Sequence, residues 1–442
     1  MALSFRGGIH PEYHKEPTRD KAIKIMPAPS KLYYPVSQHI GAPCEPTVKV
    51  GDEVKIGQII ADSSAPVSSP IHASVSGKVT AIDTYPHPAG GDCLTIVVEN
   101  DGLDTKIEGF GQERENIDNI SAEELLSIVR KAGIVGMGGA GFPTHVKMSS
   151  AQGKIDTLLI NGAECEPYLS SDHRLMVEKG EEIIGGIKIL KKFFGLQKAT
   201  LCIEDNKKDA INNMQRLAKK EEGIEIAILK TKYPQGGEKQ IIKAVTGREV
   251  PGGKLPADVK CVVMNTESVA SVYRAVKYNI SVYQRIITVS GDCVDKPSVL
   301  LVRLGTPFSD VFEFCGGFAK EPAKIINGGP MMGISLYTPD VPVIKTTSGI
   351  LALSEDEVIS VKDPICIRCG RCVGVCPVNL EPLYLSMFYR AGRFDEAEKY
   401  RVTDCIECGS CSFICPGRIN LVQEFRAAKL KVMAIQRKRQ AK

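Results

Sequence analysis

The chain has 442 residues, of which 43% are hydrophobic and 24% charged, and it carries a net charge of +4. That composition gives material for about three domains with real cores. So mild a charge excludes a dedicated nucleic-acid binder, and no apolar run reaches the length that spans a bilayer. The first residues lack the apolar stretch of a secretory signal. Seven cysteines (Cys44, Cys93, Cys165, Cys202, Cys261, Cys293 and Cys315) are scattered singly, without disulfide spacing, which points to a reducing, cytoplasmic interior.

Residues 1–35, rich in proline and charge, read as an extended arm packed on other domains, with His10 and His14 as surface histidines. From residue 36 to about 110 the pattern is one of short strands. Thr47 to Ala61 alternates around tight turns at Gly51 and Gly57, and Ser69 to Val79 and Cys93 to Glu99 supply returning strands. This block resembles a biotinyl/lipoyl-like β-sandwich. Its hairpin tip, Ile71-His-Ala-Ser-Val75, lacks the lysine that such domains modify, so a structural role is expected.

Residues 120–284 are expected to form an α/β domain. Ser121 and Glu124 have capping-box spacing before a helix from Leu125 to Ala132. Then comes Gly133-Ile-Val-Gly136-Met-Gly138-Gly139-Ala-Gly141-Phe142-Pro143, with Lys147 shortly after. Gly136 to Gly141 matches G-x-G-x-x-G, but a helix precedes it and Pro143 follows, so the usual dinucleotide-fold context is missing. The glycines strip side chains from a loop, which lets backbone N–H groups approach a phosphate or a flat ring. On its own the loop fits an empty glycine-rich turn equally well. Strands at Thr157–Ile160, Ala199–Ile203, Ile224–Leu229 and Val259–Met264 alternate with helices at Met176–Phe194 and Lys207–Lys220, predicting a mainly parallel sheet. Polar residues stand at the strand ends: Asn161, Glu164 and Glu166; then Tyr233, Gly236, Gly237 and Glu238; then Asn265 and Ser268. Ligands of such sheets bind beyond those ends, so the three groups and the glycine loop outline one pocket.

Residues 285–354 read as a smaller α+β unit with a helix at Pro307–Phe314 and a glycine-rich turn, Gly328 to Gly333, for which the sequence gives no purpose. The segment 355–428 carries Cys366, Cys369, Cys372 and Cys376 before Pro377, then Cys405, Cys408, Cys411 and Cys415 before Pro416. Each run is C-x2-C-x2-C-x3-C-P, the spacing of a two-cluster ferredoxin whose fourth cysteine serves the other cluster. That places Cys366, Cys369, Cys372 and Cys415 on one [4Fe-4S] cluster and Cys405, Cys408, Cys411 and Cys376 on the second. Zinc sites bring paired cysteines or histidines instead of two such runs. Leu383 to Tyr400 has helical spacing, making this a helical ferredoxin-type domain, and residues 429–442 read as a solvated basic tail.

Together these motifs resemble the C-subunit family of Rnf ion-translocating electron-transport complexes over nearly the whole chain. From Gly133 to about Val269 the chain is also similar to the flavin-binding subunit of respiratory complex I. The resemblance implies a multidomain α/β protein: lipoyl-like β-sandwich, Rossmann-like flavin domain, SLBB-like α+β domain and helical ferredoxin-type domain. It implies non-covalent FMN on Gly136, Gly138, Gly139 and Gly141, with Lys147 on the phosphate side and Phe142 stacking on NAD(H). It carries Asn161, Glu164, Glu166, Tyr233, Gly236, Gly237, Glu238, Asn265 and Ser268 into the same site. Hydride chemistry then belongs to FMN, with no catalytic side chain. Three polar residues of the family pattern are replaced here, by Met137, Ala163 and Gly237. The implied activity is that of a peripheral subunit of an ion-translocating ferredoxin:NAD+ oxidoreductase on the cytoplasmic side of the cell membrane. Its implied partners are the other subunits of the complex and, indirectly, ferredoxin. The alternatives are an electron-relay scaffold with a vestigial flavin site, and a soluble NADH dehydrogenase or hydrogenase subunit.

Overall fold

A computed structural model describes residues 2–358 and 364–440. Residues 359–363 of the expected ferredoxin segment and the last two residues of the basic tail lie outside the described residues.

Four apolar runs form a parallel sheet in the order Ile224–Leu229, Ala199–Glu204, Thr157–Gly162, Cys261–Asn265. Leu158, Leu159 and Ile160, like Val262, Val263 and Met264, are buried, as strands covered on both faces must be. The chain enters this sheet in the middle, runs outward through two strands and returns to place Cys261–Asn265 on the opposite side. Strand order therefore reverses between Thr157–Gly162 and Cys261–Asn265, where Asn161 and Asn265 are register partners. The crevice beyond the carboxyl ends at such a reversal is where open parallel sheets bind ligands.

The single helix expected over 176–194 is two helices, Ser171–Glu178 and Gly180–Phe193, separated by Lys179 at φ −127°. Gly180 restarts the helix in close contact with Lys208–Ala218, where a Cβ would stand 2.7 Å from Leu217 Cδ1.

The block after the arm folds as two small antiparallel sheets around Leu32, Tyr34, Ile60, Ile71, Val79 and Ile96. Its lysine-free tip is completely enclosed, with Ile71 to Val75 each no more than 1% exposed. His72 Nε2 lies 2.8 Å from the Lys131 carbonyl, and Lys345 reaches in to donate to the carbonyls of Pro70 (2.5 Å) and Gly133 (2.8 Å). The tip is thus a wedge between domains, and a swinging attachment point has no room there.

The α+β unit is a six-stranded mixed sheet whose edge strand, Lys24–Ile25, comes from the N-terminal arm. The same arm pairs Leu3 with Leu229 and Ile9 with Tyr233, and Gly8 N–H donates to the Val375 carbonyl at 2.8 Å. The C-terminal part is helical, and residues 429–440 differ from expectation. They continue the helix Leu421–Gln440, whose Leu421, Phe425, Ala428 and Val432 recur at helical spacing and are buried against the cluster domain. Arg439 pairs with Asp395 (2.7 Å) and Glu398 (2.8 Å). Among the described residues no helix is long and apolar enough to cross a membrane.

Candidate cofactor-binding site

Val135 and Pro143 pair across an antiparallel bridge, and Gly136 N–H donates to the Phe142 carbonyl at 2.9 Å, pinching residues 137–142 into a loop. Its floor is fixed from below. Met137 is buried; its N–H donates to Ser268 Oγ at 3.0 Å, and that hydroxyl donates to the Val135 carbonyl at 2.9 Å. Arg285, arriving from the mixed sheet and itself buried, donates to the Met137 carbonyl at 3.1 Å. Gly141 has φ +73° and abuts Thr346, so it shapes the loop. The crest, residues 138–140, is exposed. A Cβ on Gly139 would meet nothing within 4 Å, whereas one on Gly138 would press on the Asn265 amide at 2.7 Å. The loop therefore lies directly over a strand end with its open side bare of side chains. This is a cradle that fits the flat ring and phosphate of FMN.

The other parts of the rim close on one another. Asn161 Nδ2 donates to the Gly236 carbonyl at 2.8 Å, and its Oδ1 accepts from Ala163 N–H at 3.0 Å. Asn265 Oδ1 caps the helix Thr266–Tyr278, accepting from Glu267 N–H at 2.9 Å, and its Nδ2 donates to Asp172 Oδ2 at 2.8 Å. Burial and the nearby Glu164 hold the Asp172 carboxyl well above the ordinary carboxylate range. Lys147, on the helix Thr144–Ala151, bonds Glu238 Oε1 at 2.8 Å and the Val263 carbonyl at 3.0 Å, and about a third of its side chain remains exposed. Gly237 stands at the start of the helix Glu238–Thr246, where a Cβ would collide with Gln240 Oε1. Phe142 is half-buried beside the loop.

Three residues that sequence reasoning put in the same pocket have their polar atoms engaged elsewhere. Glu164 accepts from Ser171 Oγ (3.1 Å) and from the N–H groups of Asp172 (2.9 Å) and His173 (3.3 Å), holding the start of the helix Ser171–Glu178. Glu166 accepts from the N–H groups of Met331 (3.1 Å) and Met332 (2.9 Å), in the glycine-rich turn without an assigned purpose. Burial pushes its carboxyl up to about 7, against the pull of those two bonds. Tyr233 donates to the Cys408 carbonyl at 2.7 Å. Sequence reasoning missed Arg285 and Asp172, because both come from stretches with no motif and meet the loop only through the tertiary fold.

In the C-terminal domain Cys366, Cys369, Cys372 and Cys415 line one cavity. Cys405, Cys408 and Cys411 each lie close enough to Cys376 to feel its charge. Burial pushes the Cys405 thiol up to about 11, with Cys408 and Cys376 adding to the shift. Buried thiolates side by side need a cationic centre, which the irons of a cluster supply. Among the described residues no three of His, Cys, Asp or Glu close on a point as a single ion requires. The two sets differ in environment: Cys366 and Cys369 are exposed, while Cys408 and Cys411 are buried.

Comparison with known proteins gives four family matches in chain order. They are the RnfC barrel sandwich hybrid domain at residues 3–103, the Nuo51 FMN-binding domain at 129–274, the SLBB domain at 286–335 and the 4Fe-4S dicluster domain at 358–416. The C subunit of the proton-translocating ferredoxin:NAD(+) oxidoreductase complex of Clostridium ljungdahlii is 48% identical, covering 100% of this chain and 97% of the relative. The C subunit of the Na(+)-translocating ferredoxin:NAD(+) oxidoreductase complex of Acetobacterium woodii is 44% identical, covering 98% of both chains. The C subunit of an ion-translocating oxidoreductase complex of Rhodobacter capsulatus is 45% identical over 98% of this chain and 84% of its own. Among solved structures, an NAD+-reducing [NiFe]-hydrogenase in the H2-reduced state shares the fold. Its TM-score is 0.51 at 18% identity, covering 71% of this chain and 63% of the hydrogenase chain.

Proposed function

Because the chain belongs to the family of C subunits of ion-translocating ferredoxin:NAD(+) oxidoreductase complexes, we propose that it is the peripheral subunit at which such a complex exchanges electrons with NAD(H). The glycine loop and Lys147 would hold FMN and the eight cysteines two [4Fe-4S] clusters; flavin would supply two-electron chemistry towards the nicotinamide and one-electron chemistry towards the clusters.

The chain's own residues bind and orient. The bare backbone at Gly138 and Gly139 lets the ring approach, and Lys147 gives the phosphate a charge-assisted partner. Phe142 offers an aromatic face on which the nicotinamide dinucleotide stacks. Met137, Ala163 and Gly237 replace polar residues of the wider pattern, and the buried Arg285 restores a positive charge beneath the loop. The exposed first cluster, with Ile365, Ile367, Arg368 and Arg371 at the surface beside Cys366 and Cys369, faces the one-electron partner. With no spanning helix among the described residues, ion translocation falls to the other subunits, which hold this one at the cytoplasmic face of a membrane.

The observation that carries this reading is the meeting of the glycine loop with two strand ends at the sheet's reversal point. Anaerobic reconstitution with FMN, iron and sulfide tests it. Flavin and iron are expected to co-elute with the chain, and NADH is expected to bleach the flavin band. Iron without retained flavin would favour the relay scaffold.

A further inference from the structure

We propose that Tyr233 and Glu166, with the glycine turn 328–333, are positioning residues for the second iron–sulfur cluster: they clamp its cysteine loop against the flavin domain and set its potential. The inference rests on the reading that Cys376, Cys405, Cys408 and Cys411 hold a cluster.

Tyr233 is 1% exposed, and its backbone is bonded in both directions to Ile9, at 2.8 and 2.9 Å. The ring is therefore fixed, and its hydroxyl donates to the Cys408 carbonyl at 2.7 Å. Glu166 lies 3.4 Å from the same hydroxyl and receives the N–H groups of Met331 and Met332. The turn fits tightly at both ends. A Cβ on Gly329 would collide with the Glu166 carboxylate, and one on Gly409, inside the cysteine loop, would come within 2.8 Å of the Met331 carbonyl.

The segment that brings Cys376 is tied down as well. Gly8 N–H donates to the Val375 carbonyl at 2.8 Å, and Gln240 Nε2 donates to the Pro377 carbonyl at 3.3 Å. Ile9, Cys165, Met331, Val375, Ile406 and Ile414 form an apolar collar around Tyr233 and Cys408. The cysteines Cys366 and Cys369 of the first set are exposed instead. Hydrogen bonding near the ligands, local charge and solvent exposure are the levers that set a cluster's potential. Here all three are applied to one cluster by residues that neither ligate iron nor line the glycine loop.

The test is an anaerobic redox titration of the reconstituted full chain, followed by EPR. It compares wild type with Tyr233→Phe and Glu166→Gln, and Cys408→Ser identifies the second cluster's signal. Each substitution is expected to move that cluster's midpoint and leave the first cluster's midpoint in place. Losing one hydrogen bond is expected to change its oxidised-to-reduced equilibrium by up to about tenfold, about 59 mV for one electron. Selective loss of the second signal in Tyr233→Phe would support the same role. Should that variant misfold, the midpoint in Glu166→Gln, which keeps size and shape, decides alone. Unmoved midpoints, equal movement of both clusters, or lost flavin with unmoved midpoints would overturn the clamp. Absence of both signals from wild type would instead overturn the cluster reading beneath it.

Discussion

Lys147 Nζ lies 2.8 Å from Glu238 Oε1, so the cation assigned to a phosphate already has an anionic partner on the facing helix. Both side chains are about one-third exposed, and the pair is correspondingly weak. A bound phosphate competes with Glu238 for the lysine. Lys147→Ala is expected to weaken FMN retention by roughly 1.5–3 kcal/mol, one to two decades in affinity. Glu238→Gln is expected to strengthen it by freeing the lysine. Flavin titrations on the two variants check both signs.

Gly139 and Gly141 separate ligand contact from loop shape. A side chain at Gly139 meets no protein atom, so Gly139→Val is expected to fold, to keep wild-type iron and to lose flavin. Gly141→Val meets Thr346 at a positive φ and is expected to destabilise the chain as well. Flavin-to-iron stoichiometry after gel filtration, beside a thermal melt, distinguishes the two. Normal flavin in Gly139→Val would sink the pocket assignment.

The cluster pairing is open to spectroscopy. Cys376→Ala is expected to disturb the same EPR signal as Cys405→Ala, and to spare the signal disturbed by Cys366→Ala. The reverse grouping would refute the crossed assignment.

The enclosed tip at Ile71–Val75 gives a mass-spectrometric prediction. The intact chain is expected to carry neither a lipoyl nor a biotinyl adduct, since the tip has no lysine and no exposure.

Glu166 supplies a pH dependence with a definite sign. Burial raises its carboxyl from 4.5 to about 7, so the folded chain binds that proton more tightly than the unfolded one. The stabilisation is full below 4.5 and is lost as pH rises through 7. Relative to Glu166→Gln, wild type is expected to lose up to about 3 kcal/mol between pH 5 and 8. Denaturant midpoints across that range measure it.

Much of this architecture was legible because its signals are local. The cysteine runs, the alternation of strands and helices, and the glycine loop all lie within short windows. The meeting of Asn161, Gly236 and Asn265 with the glycine loop was legible too, since they stand at strand ends that a parallel sheet must bring to one side. What stayed hidden depends on contacts between distant segments. Nothing around Arg285 announces that it sits under Met137, and the sequence of the turn 328–333 does not name Gly409 as its neighbour. Glu166 reads as a flavin residue only through its neighbours in the chain. Its carboxylate is directed by the Met331 and Met332 amides, which come from another domain. The basic end reads as a solvated tail because its charge is local, whereas the burial of the stripe that ends at Val432 depends on the cluster domain it packs against.

The arm's contacts also dictate an order of assembly. Leu3, Gly8 and Ile9, with Lys24 and Ile25, find their partners at Leu229, Val375, Tyr233 and the strand Ser298–Arg303. In a chain made from its N-terminus, this first segment waits unpaired until residues 229–233 and then 298–303 have been synthesised, and Gly8 waits longest, for Val375. The bond from Gly8 to the Val375 carbonyl, beside Cys376, is then the last of these contacts to form.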